Sequence, residues 1–118
     1  MLPDSKISMM LALQIPGMAI ALNQLYKNGA VCKVMHAFAD YTGNLIRHGE
    51  LPEAKKCFTI AAVLYHNGSN AVKNAIESVY IYGLSPLLDT IQHNRPVKEL
   101  LPQSLHHIRI RQLQAATI

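Results

Sequence analysis

The chain has 118 residues, half of them hydrophobic and 15% charged, with no tryptophan and a formal charge of +4. That length suffices for one hydrophobic core without disulfides or metal, and the apolar share excludes a disordered chain. Two cysteines, Cys32 and Cys57, are too few for a disulfide framework; they fit a reducing, cytoplasmic setting, with one internal bridge left open.

The first predicted element is a short helix to about Gln14, with Ile7, Met10 and Leu11 at helical spacing and Ser5 or Asp4 as its cap. The apolar run from Ile7 to Leu22 has some features of a leader: Lys6 precedes it and Ala19-Ile20-Ala21 mimics a cleavage site. Asp4 and the interruptions at Gln14, Pro16 and Gly17 argue instead for two helical pieces of the core, and the run is too short and broken to cross a bilayer. The second helix would start at Pro16, carry Ile20, Leu22 and Leu25, and end at Asn28-Gly29 in a left-handed cap.

A third helix is predicted from about Ala30 to Arg47, its stripe formed by Val31, Val34, Met35, Phe38, Tyr41 and Leu45 and its end by His48-Gly49. Pro52 opens a fourth, with Ala54, Cys57, Phe58, Ala61, Leu64 and Tyr65 facing inward, and Asn67-Gly68 would close it as Asn28-Gly29 closes the second. The fifth runs from about Asn70 on Val72, Ala75, Ile76 and Val79. It turns apolar nearly all round at Tyr80, Ile81, Tyr82 and Leu84, as a central helix does. Ser85-Pro86 reads as a cap and first-turn proline that restart the helix. Asn94-Arg95-Pro96 marks a break, Val97 to Leu101 a helical turn, and Pro102 opens a last segment. There Leu105, Ile108 and Gln112 fit a helix while Ile108 to Arg111 alternate as a strand would; helix is preferred because no sheet is expected elsewhere. The expected fold is thus all-α: one compact domain over residues 1–118, with six or seven helices.

The hairpin from Phe38 to Leu64 resembles a single tetratricopeptide repeat. Phe38, Tyr41 and Leu45 take the large positions, Gly49-Glu50 the turn, and Ala54, Phe58 and Ala61 the small-large-small positions. Thr42 stands where that family has a smaller residue, and His66 where its closing proline falls. One period on, at ~34 residues, Phe58 and Ala61 land on Gln92 and Arg95, so no second copy follows. A broader pattern runs through Lys56-Cys57-Phe58, Ala61, Leu64-Tyr65, Gly68, Val72-Lys73-Asn74-Ala75-Ile76, Val79, Tyr82, Leu84-Ser85 and Leu100-Leu101-Pro102. It resembles a family of small all-helical bacterial proteins without an assigned activity. The resemblance implies a helical fold and carries over no catalytic residue.

Chemistry-bearing patterns are sparse. His36, His48, His66, His93, His106 and His107 include no pair at helical ligand spacing with a Glu between, so no metal is expected. Cys57 has Lys55 and Lys56 beside it, which could lower a thiol pKa, yet it shares the inward stripe of Phe58 and Ala61. Glu50 and Glu53 flank a turn, where capping explains them, and the glycines stand singly, without a phosphate loop. No catalytic residue, cofactor or membrane span is expected.

The leading expectation is a non-enzymatic interaction or regulatory protein that meets a protein partner or itself. Lys73, Asn74, Tyr80, Tyr82, Arg109 and Arg111 are the candidate surface. The first alternative is a small-molecule binder, or an enzyme with a site between helices near Cys57, Lys73, Asn74 and Tyr82. The second is nucleic-acid binding through Arg95, Lys98, Arg109 and Arg111, where four cations face one acid, Glu99.

Overall fold

Apolar residues at helical spacing build the two longest rods of the protein, whose computed structural model describes residues 7–18 and 31–116. Helix α1 is Ile7–Gln14, followed by a 3-10 turn at Pro16–Met18; α2 is Val31–Arg47 and α3 is Leu51–Asn67. The expected cap at Asp4 or Ser5 and the expected Asn28-Gly29 helix end lie outside the described residues.

Along α2 the predicted stripe is buried at Val34, Met35, Phe38 and Leu45, with Val31 and Tyr41 at its edges. Gly49 ends the helix with φ of 73°, in the left-handed region a side chain disfavours. Its N–H donates to the Ile46 carbonyl at 3.0 Å and that of Glu50 to Leu45 at 2.9 Å, a Schellman closure. Helix α3 starts with Pro52 in its first turn, but the Glu50 side chain forms no cap hydrogen bond, contrary to its expected role. At the other end, Gly68 is extended (φ −88°, ψ 169°), not left-handed. Its function is clearance: a Cβ there would lie 2.6 Å from the Leu64 carbonyl oxygen and 2.6 Å from Val72 Cγ1.

The next rod, α4, spans residues 70–88 without a break: Asn70–Ala75, a π-helical segment Ile76–Ile81, and Tyr82–Leu88 share right-handed backbone at every junction. Ser69 caps it, accepting from the Val72 N–H at 3.3 Å. A π segment inserts one residue into the helical count. The buried stripe therefore passes from Val72, Ala75 and Ile76 to Tyr80, Ile81, Leu84 and Leu88 instead of staying on Val79. Two expectations fall with this shift. Tyr82 is 70% exposed, so the helix is not packed all round. Pro86 lies inside the last turn on an exposed position and restarts nothing.

Strands β1 (Ile91–Gln92) and β2 (Arg95–Pro96) form a two-stranded antiparallel hairpin, a sheet the sequence reading did not expect. Its turn residues His93 and Asn94 have φ of 53° and 65°, the pair of positive values a two-residue hairpin turn needs. Gln92 Nε2 donates to the Ile46 carbonyl at 2.6 Å and so ties the hairpin to the end of α2. A 3-10 turn at Val97–Leu100 leads to α5, Gln103–Ala116, which is helical throughout. The described residues thus hold five helices, fewer than the six or seven expected, because α4 is continuous and only Pro16–Met18 of the second expected helix is described. One contiguous core links all five, from Ile7 and Leu11 through Phe38, Phe58 and Ile81 to Leu105 and Ile108.

Candidate functional site

Helices α3, α4 and α5 converge on Tyr65. Its ring is half-buried at the end of α3, and its hydroxyl donates to Glu77 Oε2 on α4 at 3.3 Å. Arg111 Nη2 on α5 approaches Glu77 Oε1 at 3.4 Å, and Gln112 Nε2 donates to the Glu77 backbone carbonyl at 2.6 Å. Lys73 Nζ sits 6.0 Å from the Tyr65 ring centroid, at the outer edge of cation–π range. Beside this cluster lies an open groove of about 470 Å³ lined by Tyr65, Ser104, His107, Ile108, Ile110 and Arg111. Its apolar margin continues onto solvent, with Ile110 40% and Leu113 46% exposed.

Of the six expected surface residues, Lys73 and Arg111 lie in this cluster, Lys73 near the Tyr65 ring and Arg111 against Glu77. Asn74 is exposed on α4, where it makes no side-chain hydrogen bond among the described residues. Tyr82 is exposed on a different face, toward α2. Two of the six are corrected. Tyr80 is fully buried, its ring 4.5 Å from that of Phe38 and its hydroxyl 2.9 Å from Thr42 Oγ1. Arg109 is 3% exposed; Nη2 lies 2.7 Å from Asp89 Oδ1, an ion pair out of line for a hydrogen bond, and Nε donates to Ser85 Oγ at 3.3 Å. The basic end is therefore not a continuous cationic face: Arg109 is turned inward and Arg111 is paired.

The other expected cluster does not assemble. Cys57 is buried against the Thr42 hydroxyl, Lys73 lies over Tyr65, and Tyr82 lines a cleft on α2; no described cavity brings the three together. Both cysteines are free thiols. Burial raises the Cys57 pKa despite the opposing Thr42 hydrogen bond and the Lys56 charge, so this thiol is not activated as a nucleophile. Burial likewise raises Tyr80 well above its ordinary value, against the Thr42 bond and reinforced by Cys57.

Sequence reasoning missed Tyr65, Glu77, Ser104 and His107 as neighbours. Glu77 carried the one available signal, a lone acid in an apolar helix flanked by basic segments. Ser104 and His107 share the groove wall but form no hydrogen bond with each other among the described residues, so no nucleophile-base pair is set up. Among the described residues no three His, Cys, Asp or Glu side chains gather as a metal site would require, and no helix is long and apolar enough to cross a membrane.

Residues 10–115 match the family model described as Domain of unknown function (DUF7674). The chain belongs to this family. An uncharacterised family is what the Lys56-Cys57-Phe58 and Val72 to Ile76 pattern implied. No curated protein and no solved structure matches the chain. For this DUF7674 member, the functional reading therefore rests on the groove and its neighbours.

Proposed function

We propose that this protein is a non-enzymatic interaction or regulatory module that meets a protein partner through the α3–α5 groove. The observation that carries the reading is the groove's make-up: an apolar floor of Ile108 and Ile110, a half-buried tyrosine, and His107 and Arg111 beside them, with Lys73 near the Tyr65 ring. Tyr and Arg are enriched where interfaces bind, and a partly exposed apolar floor is what a partner's anchor residue fills. The α2–α3 hairpin, with its tetratricopeptide-like large and small positions, is a rigid frame for such a face. Two free thiols suit a reducing cytoplasmic location.

A photo-cross-linking residue placed at Ile110 in cells tests the proposal. Covalent capture of one defined protein, or of a second copy of the chain, is expected from position 110 and not from Lys33 on α2. No adduct, or the same adducts from both positions, would overturn it.

A further inference from the structure

The charges around the α3–α5 groove specify the chemistry of its partner, an inference that stands only with the partner-face reading above. Along α5, Ser104, His107, Ile108 and Arg111 fall at helical spacing on one stripe, about 10 Å long, beside the Tyr65 ring. The groove is open along this stripe, so it accepts a segment laid across it and does not enclose a small metabolite. Its apolar surface comes from Tyr65, Ile108 and Ile110. Arg111 stands at one end of the stripe, and Lys73 reaches the Tyr65 ring from α4.

The charge on this face has one sign. Helix α5 carries no acid at all, and Glu77 is the only acid on α4. The only acid on α3 is Glu53, twelve residues before Tyr65 and so about 18 Å away along the axis. Glu99, ahead of α5, does not line the groove. Both Glu77 oxygens are engaged, Oε2 by the Tyr65 hydroxyl and Oε1 by Arg111. Lys73 and Arg111 against Glu77 leave one net positive charge beside the apolar surface.

That sign decides between occupants. A carboxylate here pairs with Lys73 and offers Arg111 a shorter bond than its 3.4 Å approach to Glu77, whereas a cationic segment meets like charge. A nucleic acid needs several cations along one track. Arg109 is buried on Asp89, so α5 presents Arg111 alone. We infer that the groove takes an acidic segment of a partner protein, an apolar side chain against Tyr65 and Ile110 and carboxylates on Arg111 and Lys73.

Amide chemical shifts of the full chain test this with a short peptide of glutamates around one leucine, and with its glutamine and lysine counterparts. The glutamate peptide should give saturable shifts at Tyr65, Lys73 and residues 104–111. At low salt it should bind at least about tenfold more tightly than the glutamine peptide, the factor of one charge-assisted bond. Salt should shrink that preference. Arg111→Gln and Lys73→Gln should each reduce it while leaving the affinity for the glutamine peptide unchanged. Equal binding of all three peptides, a preference indifferent to both substitutions, or no saturable shift would overturn the inference. So would an oligothymidylate that binds the same residues more tightly than the glutamate peptide. The cross-link from Ile110 judges the groove separately: one defined adduct together with charge-blind peptide binding would sink the acidic partner and leave the partner face standing.

Discussion

The α2–α4 seam and the α3–α5 groove use similar chemistry in opposite surroundings. Each sets a tyrosine hydroxyl against an oxygen on a neighbouring helix. In the seam, Tyr80 donates to Thr42, whose own hydroxyl donates to the Phe38 carbonyl at 2.9 Å, and every group is buried. In the groove, Tyr65 and Arg111 share Glu77 at 3.3 and 3.4 Å, with the Arg111 side chain 62% exposed. Water competes for the second pair and not for the first, so the seam fixes the register of α4 while the contacts beside the groove are individually weak.

The largest break in that contrast is Tyr80→Ala, which empties the space against Phe38 and removes the hydrogen bond that Thr42 accepts, leaving Thr42 only its bond to the Phe38 carbonyl. It should cost about 4 kcal/mol in urea unfolding, as large core truncations do. A loss below about 1 kcal/mol would mean the seam is not the rigid half of the molecule. Gly68→Ala comes next. The added Cβ meets the Leu64 carbonyl oxygen at the end of α3 and Val72 Cγ1 on α4, both at 2.6 Å, so the last turn of α3 and its contact with α4 must both shift, at about 1–3 kcal/mol by thermal melt.

Tyr80→Phe sharpens the comparison by removing only the hydroxyl, at about 1 kcal/mol near neutral pH. It also changes the pH profile. Burial holds both Cys57 and Tyr80 neutral in the fold, whereas in the unfolded chain they ionise near their ordinary values of 9.0 and 10.0. Stability should be intact below about pH 9 and fall as pH rises further, because the unfolded state alone releases those protons. The phenylalanine variant should lose the upper part of that decline, and Cys57→Ala the lower. A wild-type profile flat through this range would show that neither group is held neutral.

Much of the fold was legible because α2 and α3 are amphipathic with clear punctuation: Phe38, Ala54, Phe58 and Ala61 are buried where the period places them. Gly68 was recognised as an ending but for the wrong reason, since steric clearance from Val72 depends on a neighbour that the local turn pattern does not consider. The register of α4 was not legible. Its local pattern favours Val79 on the core face, and only the ring of Phe38 and the hydroxyl of Thr42, 38 residues away from Tyr80, favour the inserted residue. Thr42, a departure from the repeat-like pattern, is thereby explained. The site was half legible: Lys73 and Arg111 stood out as polar residues, but Glu77 joins Tyr65 and Arg111 across separations of 12 and 34 residues, which no local spacing encodes.

The smallest expected effect is also the most direct test of the contrast. Arg111→Gln removes an exposed ion pair whose 3.4 Å separation is long for a charge-assisted bond, while Tyr65 and Gln112 still hold Glu77 in place. Its cost should be under about 1 kcal/mol and should vanish in high salt, where exposed charges are screened. A salt-independent loss above about 2 kcal/mol would place Arg111 in the same class as buried Arg109 and make the groove a fixed wall. The proposed partner face needs the opposite: a guanidinium held loosely enough to leave Glu77 for a carboxylate on another chain.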